Sequence, residues 1–276
     1  MNRRSFLVAA LATPLMAQLL VACGEDSEEE GGITFPGGPN DVVLKVTSEG
    51  GFVPAGFAFV NTPSLLISGD GRAFEPGAIT LEYPGPLLMP MFVRSISDDG
   101  ITKVLQLAES AGLLATPPDY TVENLLIADA PTTVLTIQAN GTTYVHRAEA
   151  LGMDQPDGGA STPARENLAA FIATLVDLGA VAGAAEVGEP TLFAPERFRF
   201  QAMEVDPEGF DPAPTIEEWP ADAGVALADA TVCATAPASA VGALFGGADQ
   251  LTFFTDGDDV VYQLFVAGML PGDADC

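Results

Sequence analysis

Residues 41–47 (DVVLKVT) alternate apolar and polar side chains and favour β-branched types, which predicts a first strand closed by Glu49-Gly50-Gly51. Short β-rich runs at 57–60 and 64–68 predict two more, and Gly69-Asp70-Gly71 turns the second of them into Arg72-Ala73-Phe74 as a hairpin. Ile79-Thr80-Leu81-Glu82-Tyr83 alternates again and reads as another strand. The stretch 84–93 then sets Pro84, Pro86 and Pro90 among large apolar residues, which suits neither a helix nor a central strand. Two placements stay open for it: a loop across the sheet with Leu87, Leu88 and Phe92 inward, or an extended loop presenting them to a partner. The rarity of exposed apolar patches on monomers favours the first.

At Ser97 the period changes from two to between three and four. Ile101, Val104, Leu105, Ala108 and Ala111 form one stripe, so 97–114 is expected to be a helix. Ser97 is its N-cap, Asp98 and Asp99 suit its first turn, and Gly112 weakens its last. Strands at 132–139 and 142–148 flank Asn140-Gly141, a strong hairpin signal. A two-residue turn pairs Ile137 with Tyr144 and Leu135 with His146, so the lone histidine shares a face with apolar residues. A second helix is expected from Thr162-Pro163 to Leu178, stopping at Gly179, with Leu168, Phe171, Ile172, Leu175 and Val176 as its apolar face.

The remainder is less regular. Residues 198–202 alternate like an edge strand, while 206–220, with four prolines and the only tryptophan, Trp219, reads as a linker or long surface loop. A short helix at 237–245 stops at Gly246-Gly247, and a hairpin at 251–255 and 260–266 closes around Asp256-Gly257-Asp258-Asp259. Hairpins followed by helices predict an antiparallel α+β fold rather than a parallel α/β sheet. Two units are expected, at 41–180 and a smaller one at 190–276; the other reading is one continuous body with 206–220 as a loop.

The first 22 residues stand apart. Arg3 and Arg4 precede an uncharged apolar run that ends Leu20-Val21-Ala22-Cys23, the layout of a secretory signal. Leu-Val-Ala-Cys resembles the bacterial lipobox. The resemblance implies cleavage before Cys23 and acylation of its sulfur, so that Cys23 anchors an exported protein on the outer side of the cytoplasmic membrane or in the outer membrane. Asn2-Arg3-Arg4-Ser5-Phe6-Leu7 also resembles a twin-arginine signal, which implies export of a folded chain. An uncleaved anchor or an unlipidated secreted form are the alternatives. Residues 23–40 carry Glu25, Asp26, Glu28, Glu29 and Glu30 between glycines, then further turn-forming residues, and read as a solvated tether.

Charge and cysteines add to this picture. The chain of 276 residues has 38 acids against 10 Lys and Arg, a net charge of −28, and two of the basic residues lie in the signal. Such a surface repels phosphate backbones and anionic headgroups, so nucleic acid is excluded as a partner and attachment to a membrane falls to the lipid. With Cys23 set aside, Cys233 and Cys276 are expected to form one disulfide in an oxidising compartment, closing a loop worth about 4 kcal/mol in the chain-entropy model. Two free thiols are the alternative.

Candidate chemistry is sparse. No Gly-x-Ser-x-Gly elbow, phosphate loop, dinucleotide fingerprint or Cys-x-x-Cys is present. His146 as a general base has no local nucleophile signature beside it, and a partly buried, hydrogen-bonded sheet histidine is the simpler reading. Asp256, Asp258 and Asp259 could hold calcium but lack the spacing of an EF-hand loop, so a turn is preferred. No cofactor is expected. In order, Gly50-Gly51-Phe52, the Asp70-Gly71 hairpin, the helix after Ser97 and the Asn140-Gly141 hairpin are similar to small sheet-plus-helix inhibitors of the emfourin type over residues 42–178. That resemblance implies inhibition of secreted proteases; the Pro-rich loop 84–92 is the contact region expected on that reading. The expected function is non-enzymatic binding of another envelope or extracellular protein; the alternatives are protease inhibition and a hydrolase using paired carboxylates.

Overall fold

The computed structural model describes residues 32–53, 56–122, 127–153, 161–257 and 260–276. The predicted signal, Cys23, the acidic run, Asp258 and Asp259 lie outside them. Residues Ile33–Cys276 form one unit.

The early alternation folds as read. Strand β1 (Val42–Glu49) pairs antiparallel with β2 (Leu65–Ser68), which turns at Gly71 into β3 (Arg72–Pro76). Gly71 has φ 78, and a side chain there would run into the Ile96 carbonyl, so the turn needs glycine. Strands β4 (Met91–Ser95), β5 (Thr132–Ala139), β6 (Thr142–Glu149) and the two-residue β7 (Thr191–Leu192) complete an antiparallel sheet in the order β6-β5-β1-β2-β3-β4-β7. In the β5–β6 hairpin Leu135 faces His146 and Ile137 faces Tyr144, the register the Asn140-Gly141 turn predicts.

One face of this sheet carries the helices. In α2 (Asp98–Ser110) the Ser97 hydroxyl accepts from Gly100 N at 3.1 Å, and the helix ends as the chain turns left-handed at Gly112, φ 75. Its stripe Ile101, Val104, Leu105 and Ala108 packs on Leu44, Val46, Ile67, Leu135 and Ile137, joined by Leu168 and Phe171 of α3 (Pro163–Thr174).

Several expectations change. The run 57–60 is one helical turn, α1 (Phe57–Val60), entered from Gly56, whose φ of 76 no β-branched residue would adopt cheaply. Residues 79–83 form no strand, because Pro76-Gly77 and Pro84-Gly85-Pro86 flank them and no neighbouring strand receives their hydrogen bonds. The helix expected through Leu178 breaks after Thr174: the Asp177 side chain accepts from Ala180 N at 3.0 Å and starts α4 (Leu178–Ala182).

The second sheet is built from β8 (Arg197–Glu204), β9 (Thr215–Glu218), β10 (Ala234–Pro237), β11 (Thr252–Thr255) and β12 (Tyr262–Gly268), in the order β10-β8-β12-β11-β9. Strand β8 is therefore interior rather than an edge, flanked by β10 and β12. The stretch 206–220 is no simple linker. It supplies β9, which pairs parallel with β11, and it buries Trp219. Helix α5 (Ala238–Gly247) ends at the expected glycines and places Phe245 among Phe198, Phe200, Trp219 and Phe254.

The architecture is α+β, with one seven-stranded and one five-stranded, mainly antiparallel sheet. Cys233 and Cys276 are joined, their Cα atoms 5.3 Å apart, which ties the chain after β12 to the start of β10. Leu270, just past β12, enters a small cluster with Leu66, Phe74 and Met91 on the face of the first sheet opposite the helices.

Candidate functional site

The histidine singled out by the sequence sits at the centre of a buried polar chain. Strand β6 turns its ring inward, fully buried, where it meets two elements that are remote in sequence. Nε2 lies 2.9 Å from the Leu113 carbonyl, which can only accept, so Nε2 carries the proton. Nδ1 is then the acceptor for the Tyr120 hydroxyl at 2.7 Å. Both ring nitrogens are engaged, and neither is open to a substrate.

The chain continues through Tyr120. Its carbonyl accepts from Arg165 Nη1 at 2.8 Å, while Arg165 Nη2 donates to Glu149 O at 2.8 Å and Ala150 O at 3.2 Å. Arg165 is only 6% exposed and lies in the first turn of α3 on the same face as Leu168 and Phe171. The sequence reading passed over it. The available signal was a cation at the i−3 position of an apolar stripe, where a charge needs buried partners.

Burial holds His146 below its ordinary value of 6.5, only partly offset by the Leu113 carbonyl, and burial also raises the Tyr120 phenol. Below pH 6.5 the unfolded chain therefore binds a proton that the folded one refuses. The stability contributed by the neutral ring is complete above the unfolded value and is lost as pH falls from there through the lower folded value. Urea midpoints should accordingly drop more between pH 7 and pH 5 for the wild type than for His146→Gln. Parallel curves for the two proteins would show that the ring is not held neutral by the fold.

A second candidate is an open cleft of about 450 Å³ between β9, β11 and the turns at 220–230, walled by Trp219, Val225, Asp229 and Asp256. One of the calcium candidates, Asp256, lines it together with Asp229. Both carboxylates are exposed, and Trp219 turns its Nε1–H away to Val225 O at 2.8 Å. The cleft contains no buried carboxylic acid that could serve as a proton donor. Among the described residues no three His, Cys, Asp or Glu side chains gather as metal ligands.

The third candidate is a surface. Residues 78–83 are all exposed, and Ile79, Leu81 and Tyr83, at alternate positions, are 44%, 100% and 65% exposed. The base of this loop is clamped: Gly77 N donates to Pro90 O at 2.7 Å, Gln250 N to Gly85 O at 2.9 Å and Leu87 N to Ala248 O at 3.1 Å. The apolar display thus falls on 79–83 rather than on 84–92. Leu87 is buried in the second core, Met91 beneath the first sheet, and Leu88 packs against the former. The alternation that suggested a strand was the signal for this loop, read without its flanking prolines.

Among the described residues no helix is long and apolar enough to cross a membrane. No family model, curated protein or solved structure matches the chain.

Proposed function

We propose that this is a lipid-anchored protein of the cell envelope that binds another envelope or extracellular protein through loop 77–83. The supporting observation is the display of Ile79, Leu81 and Tyr83 on a segment whose two ends are hydrogen-bonded to the body. Leaving three large apolar side chains in water forgoes about 1.5–3 kcal/mol for each that a partner could bury. Clamped ends lower the ordering cost of docking. The lipobox at 20–23 and the acidic spacer supply the anchor and the reach, and the −28 charge keeps the body off an anionic bilayer.

The same geometry favours one second reading. An apolar segment held at both ends suits the substrate cleft of a secreted protease, so inhibition is the particular form of binding that the loop would support. Paired-carboxylate hydrolysis has less behind it, because Asp229 and Asp256 stand in open solvent.

A photocrosslinking residue at position 81, in the intact protein in its own envelope, tests the proposal. A discrete adduct is expected from position 81 and not from position 176, where Val176 is also largely exposed but lies elsewhere. Ile79→Asp with Tyr83→Asp should reduce its yield at least tenfold. Identical adducts from both positions, or none from position 81, would remove the loop as the contact. If the adduct is a protease whose activity falls on mixing, the inhibitor reading stands.

A further inference from the structure

The seam between the two sheets holds a small cavity with an unusual charge balance. It lies between β1 and β8 beside α1, and Lys45, Thr47 and Asn61 line it from one side, Arg199, Leu270 and Asp273 from the other. Lys45 stands on β1 opposite Leu66 and Thr136, and Arg199 on β8 opposite Ala267 and Thr235. Each sheet contributes one cation.

Away from the seam, and apart from Arg165 with its main-chain carbonyls, the described cations are matched closely. Arg72, Arg94, Lys103, Arg147 and Arg197 each have a carboxylate oxygen between 2.5 and 3.4 Å away. At the seam the match fails. Lys45 has no carboxylate within ion-pair distance among the described residues, and the nearest to Arg199 is Asp273 Oδ1 at 3.9 Å. The other oxygen of Asp273 already accepts from Leu270 N at 2.9 Å. Arg199 Nε is buried without a hydrogen-bond partner, while its guanidinium lies 5.6 Å from the centre of the Phe59 ring. A buried donor left unmade is costly and calls for an occupant. The two cations and one carboxylate leave a surplus of one positive charge in a chain whose net charge is −28.

We propose that this cavity binds a single small monovalent anion, for which a halide is the probe, held between Lys45 and Arg199 and tying the two sheets together. The size sets the scale. The cavity leaves about 30 Å³ for the centre of a water-sized occupant, above the roughly 10–15 Å³ that one water requires, so one small ion fits. The charge sets the sign, since a single monovalent anion neutralises the surplus. Thr47 and the buried Nε of Arg199 supply neutral and charged donors, whereas the Asn61 amide is already committed to Ser48 O.

The intact protein crystallised in bromide tests this directly. An anomalous peak within hydrogen-bonding reach of Arg199 Nε and on the Lys45 side of the seam is expected; a water there, or no peak, overturns the proposal. In solution, bromide and chloride should raise Tm saturably, by about 3–5 °C at ten times the Kd, at constant ionic strength. Sulfate at the same ionic strength should give no saturable component. Arg199→Gln and Lys45→Gln, which lie on different sheets, should each abolish the saturable part. A halide response that survives in both variants, or one that sulfate reproduces, would mean bulk salt alone.

Discussion

Phe245→Ala is expected to lower the unfolding free energy by about 3–5 kcal/mol, which for a chain of this size moves Tm down by about 6–20 °C. Phe245 is fully buried on α5, with ring centroids at 5.3 Å to Phe198, 5.9 Å to Trp219, 6.2 Å to Phe200 and 6.3 Å to Phe254. Removing it loses the transfer free energy of one ring and leaves a hole bordered by four others, three of them fixed on strands and Trp219 held by its hydrogen bond to Val225 O. Trp219 is the only tryptophan, so its emission reports on this cluster without interference. A red shift should accompany the loss of stability. Phe245→Leu, which keeps most of the volume, should cost about 1–2 kcal/mol. An alanine variant that loses under 1 kcal/mol with unchanged emission would show that the rings do not pack as described.

The second large effect is expected at Arg165. Replacement of a buried ion pair by apolar residues is often neutral, because both partners disappear together. Here the partners are main-chain carbonyls, of Tyr120, Glu149 and Ala150, and no substitution removes them. Arg165→Met keeps the apolar stem and leaves those acceptors unsatisfied, at a cost of about 3–5 kcal/mol. Arg165→Lys keeps the charge but not the fork, and should fall between, at about 1–3 kcal/mol. The local consequence should exceed the global one at Ala150, whose φ of 50 is a left-handed conformation held partly by that bond. Amide exchange at residues 149–153 should therefore accelerate first. A Met variant as stable as the wild type, with unchanged exchange there, would refute the role assigned to the guanidinium.

What could be read from the sequence was what local geometry decides. Asn140-Gly141 dictates its own turn, and the turn dictates that His146 faces inward; no distant contact is needed. Ser97 caps α2 from three residues away. What could not be read depended on partners far along the chain. Ile79, Leu81 and Tyr83 have the alternation of a strand, but a strand exists only where another offers its hydrogen bonds, and the prolines on both sides exclude that. Phe198 and Phe200 looked like one face of an edge because β10 and β12 arrive more than thirty residues later. Trp219 sat among prolines that resemble a linker, and its burial follows from the parallel pairing of β9 with β11. The candidate site divides in the same way. His146 was legible, whereas Tyr120 and Arg165 reach it from separate elements.

Of the eight cations among the described residues, five pair closely with acids, Arg165 binds main-chain carbonyls, and Lys45 and Arg199 meet at one cavity with only a distant carboxylate, a distribution that the fold, not the composition, produces.

The cluster of Leu66, Phe74, Met91 and Leu270 has a consequence in time. Three of its members are synthesised within the first hundred residues, and the fourth comes 179 residues after Met91. At about 5–20 residues per second, translation leaves that cluster without Leu270 for about 10–35 s. During that interval a nascent chain lacks the last residue that closes this apolar face, and a chain cut short before Leu270 lacks it permanently.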